Sequence, residues 1–452
     1  MLYCWLLETL ISHKTGHLLR VLGTGFGIAV GVGTTIGSGI LRTPGEVAGQ
    51  LGSASLVMTV WVLGGVYALL GCSSVTELAT MLPNAGAFYA YASRAFGPRV
   101  GFVVGCCNAM VEAVAMAYLA VAMGEFAGGL FPALAEHVHL VGVTGLLLLA
   151  GLNLVGLRPG SRAQEITSVL KAVGLIALII GCFVVHPSAS GPAPAAIAGH
   201  PHGSFFLGLI LALQGVIVTY DGWYAPIYFA EEDKNPSRNL PRAMLGTVLC
   251  CTAIYVLMNV AMVHALGMAR LSGARMPAAD AALLVFGSYG QRFILLISLI
   301  AVISTINAGL MLTPRILFSM ARDGLLPHRL TEVNRGGTPA VALLICTFAA
   351  VVLVLAGSFE TLVAIAAILF VANYVPVFAA LLVLRRREPH LARPYKVWLY
   401  PWTTVCVLLA SVAFLIGSVI GDITHSLFTL ILILLSYVTA VVITRRRAGV
   451  FA

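Results

Sequence analysis

The chain has 452 residues, 60% of them hydrophobic and 10% charged, with a mean hydropathy of +0.99. A soluble domain carries roughly 25% charged residues, so this composition excludes one and describes an integral membrane protein. The length leaves room for about twelve spans of ~20 residues. The net charge of +9 could suggest a nucleic-acid partner, but the placement of the basic residues argues against one.

Residues 1–21 hold Glu8, His13, Lys14, His17 and Arg20 beside a short apolar run, and read as a cytoplasmic segment, not a cleavable signal peptide. Apolar runs follow at 22–41, 53–81, 99–125, 140–157, 165–186, 205–229, 243–266, 291–319, 339–357, 361–384, 400–420 and 424–444. In the first, Gly33-Thr34-Thr35-Ile36-Gly37-Ser38-Gly39-Ile40 packs three glycines and three hydroxyl residues into eight positions. Each glycine costs a helix roughly 1 kcal/mol against alanine. The stretch is either a small-residue packing face or an opened helix, and opened backbone at membrane depth is tolerated only when buried in protein or lining a wet cavity. Pro44 and Gly45 are expected to follow this span outside the membrane.

Residues 83–91 are too polar to span and are expected to lie at the cytoplasmic face, as an interfacial or re-entrant piece. The third run carries Glu112 at mid-depth, and the fifth opens with Gln164 and Glu165 and places Lys171 about two turns in. Residues 186–203 form the longest outer loop and the expected boundary between two halves. The sixth run repeats the oddity of the first: in Val218-Thr219-Tyr220-Asp221-Gly222-Trp223-Tyr224-Ala225-Pro226 an acid, a glycine and a proline interrupt a membrane segment.

With the N-terminus inside, the even-numbered connections and both tails hold most of the basic residues, including the arginines at 385–387 and 445–447. The opposite side holds only Arg42, Arg270, Arg275 and Arg292, a positive-inside pattern that places both termini in the cytoplasm and makes the charge topological. Runs 1–5 (22–186) and 6–10 (205–384) each begin with an interrupted span, and because each block holds an odd number of spans the second is inverted relative to the first. Two more spans (400–444) and a short tail (445–452) follow. Paired interruptions in inverted halves point to a binding site at the bilayer midplane. The nine cysteines form no CxxC pair and the histidines no clustered spacing, so neither a disulfide framework, a metal nor another cofactor is expected.

Thr35-Ile36-Gly37-Ser38-Gly39-Ile40, residues 83–91, Tyr220-Asp221-Gly222-Trp223 with Glu231-Glu232 and Asn235-Pro236, and Met320-Ala321-Arg322-Asp323-Gly324-Leu325-Leu326-Pro327 stand in an order and at spacings that resemble the amino acid-polyamine-organocation (APC) transporters. The likeness is greatest to bacterial relatives of the L-type amino acid permeases. It implies an all-α membrane fold of twelve helices: a LeuT-like inverted repeat of ten, with the first and sixth broken, plus two. It also implies alternating-access transport of amino acids or related amines.

An amino acid zwitterion needs donors for its carboxylate and acceptors for its ammonium. The opened first span offers the N–H groups of Gly37, Ser38 and Gly39, with a helix N-terminus behind them and side-chain contacts from Thr35 and Ser38. The opened sixth offers the carbonyls of Val218, Thr219 and Asp221, as the resemblance also implies. Asp221 either caps the broken helix, selects cationic substrates or carries a proton. Trp223 reads as packing more readily than as a lid, and Glu112 and Asn307 as candidates for substrate or proton contact or for a buried network.

Where family members carry a gating aromatic four residues before Gly222, this chain has Val218, so the pocket is roomier or another residue such as Tyr220 supplies the gate. Lys171, seven residues after Gln164, matches a family position where sodium-coupled relatives bind an ion. Its ammonium is expected to bond the opened first span and an eighth-span hydroxyl, Ser304 or Thr305, which disfavours sodium and makes the lysine a candidate proton carrier. L-type members pair with a heavy chain through a cysteine after the third span. Residues 126–140 contain none, so no disulfide-linked partner is expected. The expected function is therefore sodium-independent movement of neutral L-amino acids, by exchange or with protons. Transport of cationic amino acids or amines through Asp221 or Glu112 is the alternative. An enzyme would need a nucleophile with its base or a metal cluster, and a channel would need an unbroken pore.

Overall fold

In hydrocarbon a backbone satisfies its own N–H and C=O groups only as a helix or a closed barrel, and this chain takes the first course. The computed structural model describes residues 18–185, 205–272, 274–357, 359–421 and 423–448. Most of the expected N-terminal segment, the 186–203 loop and the end of the C-terminal tail lie outside the described residues. Among the described residues nine helices are long and apolar enough to cross a membrane, or ten when the bent pair Thr24–Thr35 and Gly39–Leu51 is one span. Phe205–Thr219 and Ala340–Ala356 are apolar but shorter.

The first run is broken as its glycines suggest: α1 (Thr24–Thr35) and α2 (Gly39–Leu51) meet at a 46° bend. The helix outlasts the apolar run. Pro44 lies inside α2, which continues to Leu51 before Gly52 turns the chain, because buried membrane helices accommodate a missing N–H. Next come α3 (Ala54–Met81), α4 (Phe88–Phe96), α5 (Pro98–Leu130), α6 (Val138–Val155) and α7 (Leu157–Val184). After the undescribed loop come α8 (Phe205–Thr219), α9 (Pro236–Leu271), α10 (Pro277–Phe286), α11 (Gly290–Arg322), α12 (Ala340–Ala356) and α13 (Phe359–Arg387). Two further helices, α14 (Trp402–Gly421) and α15 (Ile423–Ala448), end the described chain.

The helix α5 is apolar around most of its circumference, as befits a helix with protein on every side, and it packs along α11. Two further pairings mirror each other: α7 lies on α11 as α13 lies on α5, and α1 lies on α9 as α8 lies on α3. Each pairing turns into its counterpart when every span is exchanged for the one five runs away, which is what an internal five-span repeat produces.

Three local features add detail. In the piece at 83–91 Pro83 is exposed, but α4 buries Phe88, Tyr89 and Tyr91 against α5 and α13, so its apolar face meets protein. The helix α7 begins at Leu157, a full two turns before Gln164, which carries Lys171 to its middle. Cys250 and Cys406 are exposed on the outer face of the bundle, whereas Cys72, Cys107, Cys182, Cys251 and Cys346 are buried.

The end of the bundle bearing the arginine-rich connections is tied by ion pairs. Arg315 donates through Nε and Nη2 to Glu232 at 3.0 and 2.9 Å, with both side chains almost wholly buried, and Arg322 pairs with Glu231. Glu77, fully buried on α3, accepts from Arg385 Nε at 2.7 Å and from the Val397 N–H at 2.7 Å, with Arg393 3.2 Å away. Removing one member of a buried pair strands the other and costs about 3–5 kcal/mol, whereas an exposed pair is worth about 0–1. Glu77→Ala is therefore expected to lower the thermal unfolding midpoint of detergent-solubilised protein by several degrees. Arg94→Ala, which breaks the exposed pair with Glu388, should leave it nearly unchanged.

Candidate functional site

An unbroken helix would carry a bond from the residue-37 N–H to the Gly33 carbonyl. Here the Gly37 N–H turns to the Thr35 carbonyl at 3.0 Å, and side chains from other helices take the freed acceptors. Lys171 Nζ donates to Gly33 O at 2.6 Å and to Ile36 O at 2.7 Å. Tyr255 Oη of α9 lies 2.7 Å from Thr35 O and 3.1 Å from Thr219 O, so one hydroxyl spans the ends of α1 and α8. Thr34 Oγ1 is 2.7 Å from Gly222 O.

Beyond Thr219 the chain leaves helical geometry until a short 3-10 turn at Ala225–Phe229. Gly222 takes φ +100°, and a Cβ there would stand 2.8 Å from the Thr34 backbone. Gly33 is as crowded, since a Cβ on it would fall 1.8 Å from Gln164 Nε2. These two glycines let α1 approach both the unwound stretch and α7.

Between the breaks lies a cavity of about 540 Å³, lined by Thr34, Thr35, Gly37, Ser38 and Gly39 on one side and Val218, Thr219, Asp221 and Gly222 on the other. Glu112 and Thr305 also face it. With Gly37 engaged, Ser38, which precedes α2, and Gly39, its first residue, bring the start of that helix to the cavity wall. The Val218 and Thr219 carbonyls already accept from the Asp221 N–H and Tyr255, and each retains a second lone pair. The mouth, at the end opposite the arginine-rich connections, is lined by Arg42, Glu46, Gln214 and Ser418. The floor is aromatic: Tyr224 packs on Phe88 at 5.1 Å, and Phe88 touches Tyr228 and Tyr374. The buried Arg315–Glu232 pair lies beyond it, with the guanidinium over Phe229.

Three expected site residues do not line the cavity. Tyr220 turns away, with its hydroxyl on Trp61 O at 3.1 Å and its ring against Tyr255, so it is no gate over this opening. Trp223 stacks on Tyr374 at 5.8 Å as packing. Asn307 belongs to a buried network, donating to Gln164 Oε1 at 2.9 Å and accepting from Asn153 Nδ2 at 2.8 Å. The eighth-span hydroxyls reach Lys171 only indirectly: Thr305 Oγ1 lies 3.1 Å from the shared Gly33 carbonyl, and Ser304 accepts from Gln164. Val218 is 37% exposed toward the cavity, leaving it wide where an aromatic would narrow it.

Sequence inspection also missed Tyr224, Tyr255 and Tyr374, because a tyrosine in an apolar run looks like ordinary core. Tyr224 Oη lies 3.1 Å from Glu112 Oε1 and 3.5 Å from Asp221 Oδ2, and Tyr374 Oη donates to Asp221 Oδ1. Among the described residues no group of three His, Cys, Asp or Glu side chains is arranged to hold a metal ion.

A multi-pass membrane bundle whose two interrupted helices bound an internal cavity, sealed at one end and open at the other, has the build of a substrate carrier. The chain belongs to the amino acid permease family, whose model matches residues 25–437, and its helices fit the LeuT-like fold of that family. It is 28% identical to the serine/threonine exchanger SteT of Bacillus subtilis over 89% of this chain and 91% of that one. It is 32% identical to the mouse Asc-type amino acid transporter 1 over 81% and 70%. With the human b(0,+)-type amino acid transporter 1 the identity is 28% over 94% and 87%.

Gly222→Ala forces a side chain into Thr34 at a positive φ. It is expected to abolish saturable amino acid binding, measured by scintillation proximity with a labelled substrate. Gly246→Ala on α9, whose Cβ would meet nothing closer than Ile28 at 3.5 Å, should bind normally.

Proposed function

We propose that this amino acid permease moves small neutral L-amino acids by alternating access, independently of sodium, either exchanging them or taking them up with protons. The carrying observation is the pair of breaks, where the first-turn amides of α2 and the unwound carbonyls of the sixth span flank one cavity, donors opposite acceptors, as a zwitterion requires. Lys171 supports sodium independence: its ammonium already occupies the Gly33 and Ile36 carbonyls, and a fixed positive charge there repels a second cation.

Two carboxylates, Asp221 and Glu112, on the cavity wall favour a second reading in which a cationic side chain is also accepted. The basic connections support both termini in the cytoplasm of a cell membrane, so that the cavity opens outward. The name of the b(0,+)-type relative states an amino acid transporter, and SteT a serine/threonine exchanger, which supports exchange of small substrates here. Residues 126–140 carry no cysteine, and we read no covalently attached partner. Nor do we read an enzyme: the cavity presents binding groups without an activated nucleophile.

Counterflow into proteoliposomes should saturate and proceed equally in sodium and choline media, with labelled alanine or serine competing against other amino acids. Flux that rises linearly with concentration would indicate a channel. Lys171→Ala removes two charge-assisted bonds of about 1.5–3 kcal/mol each, and counterflow is expected to fall by more than about tenfold. Unchanged counterflow would remove Lys171 from the coupling machinery.

A further inference from the structure

We propose that Glu112 is the proton-bearing group of the cavity, and that this proton and a cationic substrate side chain bind in competition at Glu112, Tyr224 and Asp221. The proposal rests on the cavity being the substrate site. Tyr224 has one hydroxyl, within 3.1 Å of Glu112 Oε1 and 3.5 Å of Asp221 Oδ2. A phenol carries a single hydrogen, so it donates to one carboxylate only. The other contact is a hydrogen bond only when that carboxyl is itself protonated and donates to the phenol oxygen. Asp221 has a second phenol donor in Tyr374 Oη, whereas Glu112 has Tyr224 alone, and donors favour the ionised form, so the charge is assigned to Asp221. The proton therefore sits on Glu112, and the chain runs from Glu112 through Tyr224 to Asp221.

The surroundings leave that proton unreplaced by any fixed cation. Glu112 is 7% exposed. From α5 itself it is neighboured by Asn108, which accepts from Tyr228, and Tyr118 lines the same cavity. The sixth span contributes Asp221, Tyr224 and Tyr228, α13 contributes Tyr374, and α1, α2 and α11 present Thr34, Thr35, Ser38 and Thr305. Lys171 is committed to the Gly33 and Ile36 carbonyls, and Arg42 lines the cavity with its guanidinium over the Phe126 ring. Among the described residues no Lys, Arg or His forms an ion pair with Glu112 or Asp221. Two neighbouring carboxylates without a paired cation disfavour each other's ionised form.

A neutral substrate brings no side-chain charge, so Glu112 keeps its proton and the loaded pair carries one negative charge. A cationic side chain supplies the missing positive charge. The Glu112 O–H bond then breaks, its electron pair stays on the carboxylate, and the proton leaves to water in the cavity. Two ionised carboxylates plus one cation again total one negative charge. The loaded carrier thus has the same charge with either substrate class, and exchanging one class for the other moves one proton.

The test measures binding of L-lysine and L-alanine to the purified protein as competitors of labelled L-alanine, between about pH 5.5 and about pH 8, where both free ligands keep their charge. The lysine-to-alanine affinity ratio is expected to rise more than about tenfold across this range, with a limiting slope of about tenfold per pH unit for one displaced proton. In weakly buffered solution with the dye pyranine, lysine should release about one proton per site and alanine none. In Glu112→Gln the ratio should be low and flat with pH. A flat ratio in the wild type, a slope retained in E112Q, or lysine binding without proton release would each overturn the proposal. Should E112Q fail to fold, the wild-type dye measurement decides alone. Saturable alanine binding with a flat ratio removes only this inference. Absence of saturable binding of both ligands to well-folded wild-type protein removes the permease site and the inference together.

Discussion

Carbonyls set free inside a membrane must find donors, because each one left bare costs several kcal/mol where no water can compensate. Three of the side chains around the breaks serve them. Lys171 takes Gly33 and Ile36, Tyr255 shares its one hydrogen between Thr35 and Thr219, and Thr34 reaches Gly222. They come from α7, α9 and α1 itself, so the two breaks are held in register by helices remote in the chain. Once the carbonyls are occupied this way, Ser38 and Gly39 at the start of α2 and the acids Asp221 and Glu112 are among the polar residues of the cavity wall.

The cavity is asymmetric along the bundle axis. Toward one end it is bounded by polar side chains around an opening. Toward the other it meets an aromatic layer built from Phe88, Tyr224, Tyr228 and Tyr374, and then buried and partly buried ion pairs. The α4 helix matters more than its length suggests, since it delivers Phe88 to that layer. Tyr224 belongs to both systems, closing the floor with its ring and joining two acids with its hydroxyl.

Much of this plan is legible in the sequence because hydrocarbon makes exceptions conspicuous. Glycines and hydroxyls at 33–40, an acid and a glycine at 221–222, and a lysine at 171 each violate the composition of an apolar run, and each proves to sit at a break or to hold one open. What remains hidden is whatever looks ordinary. The helix α5 is apolar nearly all round, so no stripe tells which of its residues face the cavity. Tyr220 and Tyr224 cannot be told apart from spacing, because unwinding destroys the 3.6-residue period that would assign their sides. Asn307 looked like a site residue only because its partner Asn153 is far away in the chain. Pro44, a strong helix breaker in water, is carried inside α2.

The tightness around Gly33 carries a mechanical consequence. With no room for even a methyl group between Gly33 and Gln164, and with Ser168 bonded to Ala29 one turn earlier, the first half-span is keyed to α7 at two successive turns.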